Sequence, residues 1–169
     1  TEVTLGASTS DRYTNYSGYT YINWFFQRAP GFFDEVCYSG LNAVRDVSHN
    51  LSVAPELMIV KRRNAASSWF VYSASLGAEN YMLLDSTAAV ASSSVFWNNT
   101  TPTSSVFSLG TDTSVNASGG TYVAYLFAHN NDDGGFGEPG DQDIIKCDSY
   151  TGNGNATGPV VNLGFEPQW

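Results

Sequence analysis

The feature that most constrains this chain is that it carries the same stretch twice. Tyr38–Pro55 (YSGLNAVRDVSHNLSVAP) and Tyr150–Pro167 (YTGNGNATGPVVNLGFEP) align without a gap at a spacing of 112 residues, sharing Tyr38/Tyr150, Gly40/Gly152, Asn50/Asn162, Leu51/Leu163 and Pro55/Pro167. Upstream, Asn15–Phe26 (NYSGYTYINWFF) aligns with Asn116–Phe127 (NASGGTYVAYLF) at a spacing of 101, sharing Asn, Ser, Gly, Thr, Tyr and the closing Phe. The spacings differ by eleven, which places an insertion between Phe127 and Tyr150. A period of about a hundred residues is long for a solenoid unit and suits a whole small β-domain repeated in tandem, with strand exchange between neighbours as one arrangement. The expected division is the end of a preceding repeat at 1–31, a complete repeat at 32–127, an acidic Gly-rich insertion at 128–143 and the start of the next repeat at 144–169, with the polypeptide expected to continue at both ends.

Within one repeat the pattern is that of strands. Tyr19–Gln27 is rich in aromatic and β-branched residues and closes at Ala29-Pro30-Gly31, where Pro removes a donor and Gly permits positive φ. Phe32–Tyr38 resumes as a strand before the repeated turn. Val47–Val53 alternates apolar and polar, while Leu57–Arg63 turns at Asn64–Ser67 into Trp69–Tyr72 as a hairpin. Further strands are expected at Tyr81–Leu84, Val95–Trp97, Val106–Leu109 and Tyr122–Phe127, with one helical turn at Asp85–Ser93. Strands at roughly ten-residue spacing with Gly, Asn and Pro turns give an all-β expectation: an antiparallel β-sandwich of jelly-roll or lectin-like type.

Composition narrows the partners. The net charge is −9 with only seven Lys and Arg, whereas a duplex partner needs a basic footprint, so no nucleic acid is expected. No apolar run is long enough for a membrane span. Charged residues are 14% of the chain against a typical quarter, so the surface is one of hydroxyls and amides rather than ions.

The candidate sites each carry two readings. The insertion AHNNDDGGFGEPGDQD clusters Asp132, Asp133, Asp141 and Asp143, and carboxylates on a flexible loop suit calcium, though the spacing is not that of a regular calcium loop. The plainer reading is a solvated loop between repeats. Among the aromatics, Trp69, Trp97 and Tyr72 are candidates for a sugar-stacking platform, set against the expectation that most such rings fill the core. Asp34-Glu35 is a carboxylate pair, but strand neighbours face opposite ways and cannot flank one glycosidic bond. His49 stands where the second copy has Val161, which reads it as a satisfied structural histidine. No nucleophile elbow or triad assembles, so no catalytic residue is expected. Cys37 and Cys147 precede the two copies of the turn and read as buried thiols rather than a disulfide, and Lys61-Arg62-Arg63 as a solvated strand end or a dock for an acidic loop. Asn-x-Ser/Thr sequons at Asn15, Asn50, Asn98, Asn99, Asn116 and Asn155 would matter only in a secreted eukaryotic protein.

The blocks VAPELMIVKRR and YTGNGNATGPVVNLGFEPQW, with GFFDEVCYSG and VNASGGTYVAYLFAHN, resemble a tandem-repeated β-rich domain of unknown function found in virion and tail-fibre-like proteins of marine tailed phages, over nearly the whole chain from Tyr19 onward. The resemblance implies a non-enzymatic, extracellular virion protein: a tail fibre or surface appendage that self-associates, by analogy as a homotrimer, meets other virion proteins and contacts a host surface glycan or protein. It transfers no site residues. The alternatives are a lectin-like carbohydrate-binding domain with a calcium-assisted site, a purely architectural capsid-decoration or filament protein and, least favoured by the sequence, a depolymerase.

Overall fold

A computed structural model describes residues 2–3, 17–129 and 144–167 of the chain. Eight strands and two single-turn helices form among them: β1 Phe33–Ser39, β2 Arg45–Ser48, β3 Leu57–Arg62, β4 Trp69–Ser73, β5 Asn80–Leu83, β6 Ala91–Ser92, α1 Ser94–Trp97, β7 Val106–Leu109, α2 Thr113–Asn116 and β8 Thr121–Phe127. All strand pairing is antiparallel, in a six-stranded sheet of order β1-β8-β3-β4-β5-β6 and a two-stranded ribbon β2-β7.

β8 is central because its TYVAYLF run can be covered on both faces, and it is hydrogen-bonded to β1 on one side and β3 on the other. The register aligns inward side chains into rows across the sheet. Tyr72, Met58 and Leu126 form one row, Phe70, Val60, Ala124 and Val36 the next, and Tyr122 faces Tyr38 in a third. The alternation that puts these on one face follows from the two-residue repeat of a strand. Over that face lie Val47 from β2, Phe107 and Leu109 from β7, Leu51 from the loop after β2, Phe96 and Trp97 from α1 and Val115 from α2, all in one buried cluster.

The expected strand at Val95–Trp97 is instead α1. Ser93, extended at φ −167, accepts from the Val95 N–H, and Asn98 closes the turn in the left-handed region at φ 53. A strand would send Phe96 and Trp97 to opposite faces, whereas the turn lets both enter the core at 6% and 0% exposure. The helical turn expected at Asp85–Ser93 does not form; that segment runs through a turn into β6. Tyr19–Gln27, expected as a strand, joins no sheet among the described residues, and all of it but Tyr21 is exposed.

Candidate functional site

The three proposed sugar-stacking rings do not form a platform. Trp97 is fully buried, its Nε1–H donating to the Asn80 carbonyl at 3.0 Å and its ring meeting Tyr72 edge-on at 6.1 Å between centroids. Tyr72 is 1% exposed. Both are corrections to the sequence reading, since inward-facing core rings present no face to a sugar. Trp69 is half-buried at the start of β4, and the Lys61 ammonium sits 5.4 Å over its ring, occupying a face a glycan would need. Lys61 also donates to the Ser67 carbonyl, Arg62 to Asn64 Oδ1 at 3.2 Å and Arg63 to Cys37 Sγ at 3.7 Å, so the basic triplet is engaged locally. Asp132, Asp133, Asp141 and Asp143 lie outside the described residues. Among the described residues, no group of three or more His, Cys, Asp or Glu is placed to hold a metal ion.

The titratable groups singled out by sequence are structural staples. Asp34 is 1% exposed because β1 turns it onto the core face at the sheet edge. Its carboxylate accepts from the Asn50 N–H at 2.7 Å and the Glu35 N–H at 2.9 Å and pairs with Arg28 Nε at 3.1 Å. His49 donates from Nε2 to the Thr103 carbonyl at 3.1 Å and accepts at Nδ1 from the Leu51 N–H at 3.2 Å, an arrangement that needs the neutral ring. Burial lowers its pKa, against the opposing effects of the Thr103 carbonyl and Asp34. Cys37 is exposed rather than buried, and Cys147 is half-buried; both are free thiols. Burial, then the negative charge of Glu56, pushes the Cys147 thiol up to about 12.

What the fold does bring together is four of the residues shared by the two sequence copies: Tyr38, Gly40, Asn116 and Tyr122. Tyr38 and Tyr122 stack at 5.1 Å between centroids, 13° from parallel. The Tyr38 hydroxyl donates to the Val115 carbonyl at 2.8 Å, and burial raises its pKa far above the ordinary phenol range. The Tyr122 hydroxyl donates to the Thr113 carbonyl and accepts from the Ala117 N–H, both at 2.8 Å. Asn116, fully buried, donates from Nδ2 to the carbonyls of Ala43 at 2.8 Å and Gly110 at 2.7 Å and accepts at Oδ1 from the Leu41 N–H at 2.9 Å. Gly40 lies so close beneath it that an added Cβ would stand 2.2 Å from the Ala117 carbonyl oxygen. Sequence reading singled Asn116 out only as a sequon and as the match of Asn15, with no role as a buried clamp.

The second members of these pairs stand outside the core. Tyr150 is 71% exposed, Gly152 has nothing within 4 Å of where a Cβ would lie, and Leu163 lines an open pocket with Tyr150, Lys146 and Val161. On the N-terminal side Ile22 is 83% exposed and Phe25 73%. Phe26 rests on Phe33 and Phe127 at 5.2 and 6.3 Å between centroids. The segment before β1 therefore meets the module at the end of the sheet where Phe33 pairs with Phe127.

A family model described as a domain of unknown function (DUF7483) matches residues 28–169 in one block. No curated protein and no solved structure matches the chain.

Proposed function

Since the chain belongs to the family described as a domain of unknown function (DUF7483), we propose that it is a non-enzymatic structural module of a phage virion, one unit of a tandem β-sandwich array in a tail fibre or surface appendage that takes part in host attachment. The observation that carries this reading is where the repeated residues lie. Tyr38, Gly40, Asn116 and Tyr122 are buried and hydrogen-bonded or close-packed at the Ser39 end of the β1–β8 pair, and Leu51 is buried toward its other end beside Gly31, so these shared positions serve packing in the module rather than presenting a reactive group. Two antiparallel β-layers over one core, with short turns, fit the sandwich reading. The resemblance of the VAPELMIVKRR and YTGNGNATGPVVNLGFEPQW blocks to marine phage tail-fibre-like domains supplies the virion setting, where repetition makes weak surface contacts cumulative.

The test is cryo-electron microscopy of the native particle that carries the chain. Modules strung along a projecting fibre with Trp24 and Phe25 on its outside support attachment, and glycan arrays then identify the receptor. Modules tiled edge to edge in a closed shell, with those side chains covered, overturn host binding in favour of a purely architectural role.

A further inference from the structure

We propose that the outer edge of β1 is a self-association surface for a second copy of the chain, and that Arg28 and Arg45 hold it shut. The inference concerns an edge of the sheet and does not depend on the virion setting. The six-stranded sheet ends at β1 on one side and β6 on the other. β6 is two residues long, too short to template another strand, whereas β1 runs for seven. The bridge between Ala29 and Phe33 shows that Phe33 turns its N–H and C=O away from β8, and by strand alternation Glu35, Cys37 and Ser39 do the same. Side chains reach these outward groups. Arg28 donates from Nη2 to the Glu35 carbonyl, Asp34 Oδ1 accepts from the Glu35 N–H at 2.9 Å, and Arg45 donates from Nη1 to the Ser39 carbonyl at 2.7 Å.

The partner this edge fits is its own copy. About a two-fold axis through Cys37, an antiparallel β1–β1 pair sets Cys37 opposite Cys37, Glu35 opposite Ser39 and Val36 opposite Tyr38. Outward groups then meet outward groups, and no carboxylate faces its equivalent. In that register the Glu35 carbonyl accepts from the Ser39 N–H of the second copy, and the Ser39 carbonyl from its Glu35 N–H. Those are the positions that Arg28, Asp34 and Arg45 fill in the single chain. A guanidinium on an edge carbonyl satisfies the acceptor and puts a charge where a second strand would lie. The chain has only seven Lys and Arg, and two of them lie on outward carbonyls of this one strand, a concentration that a merely solvated surface does not call for. Both contacts are solvent-exposed, the Arg28 side chain at 63%, and exposed contacts of this kind are weak and loosened by salt. The edge is therefore guarded rather than sealed.

Oxidative trapping through Cys37, an exposed thiol on that edge, tests this in the full chain carrying Cys147→Ser. Residues that exchange hydrogen bonds across an antiparallel pair have Cα atoms about 5.5 Å apart, within disulfide reach. Arg28→Ala with Arg45→Ala should raise the rate at which Cys37 links two copies by about tenfold or more and shift sedimentation from monomer toward dimer. Arg45→Ala alone leaves the buried Asp34 with its Arg28 and should give a smaller rise in the same direction, which decides the matter if the double variant does not fold. Adding Ser39→Pro, which removes an outward N–H and none of the β8 ladder, should return the rate to that of the parent. A folded variant that stays monomeric and untrapped overturns the surface, and trapping that ignores both arginines overturns the guard. A rise that survives Ser39→Pro places the contact elsewhere and overturns the edge.

Discussion

At the scale of single residues, the fold turns on a few groups whose roles are set by what surrounds them. Asn116 satisfies two carbonyls and one N–H of separate loops from a fully buried position. Asn116→Ala leaves those groups unpaired out of water and should cost about 3 kcal/mol in urea unfolding. The two repeated glycines give a sharper contrast. Gly40→Ala forces the β1 end away from the Ala117 carbonyl and should lower the melting temperature steeply, while Gly152→Ala should leave that of the module unchanged. His49 is buried neutral, with its folded pKa below the ordinary value. Its contribution is therefore fully present above the unfolded pKa of about 6.5 and is lost as pH falls through the lowered folded pKa, since a second ring proton would oppose the Leu51 N–H. Stability measured between pH 8 and 5 should decline on the acid side, and His49→Asn should flatten that part of the profile. The sequence pointed to His49 as structural, because Val161 stands at its place in the second copy. It did not show Asn116 as a buried clamp, since a buried Asn and a surface-turn Asn have the same local signature.

At the scale of elements, the hairpin β3–β4, the strands β1 and β7 and the central β8 were legible because each is a run whose apolar residues recur at strand spacing and whose ends carry turn residues. α1 was not legible. Val95, Phe96 and Trp97 are strand formers by propensity, and the helical turn forms because it lets two adjacent rings enter the core together while Ser93 caps it. Ser93→Ala should cost about 1 kcal/mol, read by thermal unfolding. Asn98→Gly should be tolerated at φ 53, whereas Asn98→Val should not. The strand expected at Tyr19–Gln27 does not form, since composition alone does not supply the neighbour whose ladder a strand needs.

At the scale of the whole molecule, hydrogen bonding on both edges makes β8 the hub of the large sheet, so its amides should exchange most slowly with solvent. The all-β class was visible in sequence because strand alternation is a periodic property; the covering of one sheet by a ribbon and two helical turns was not, because it depends on contacts far apart in the chain. The pairing of Phe33 with Phe127 has a mechanical meaning as well. The polypeptide enters and leaves the sheet at the same corner, so tension applied through its flanks loads the β1–β8 hydrogen bonds one at a time, from that corner inward, instead of shearing them all together. Pulled from its ends by an optical trap, the module should open like a zip at low force, and a string of such modules would behave as an extensible tether that yields before its anchors do.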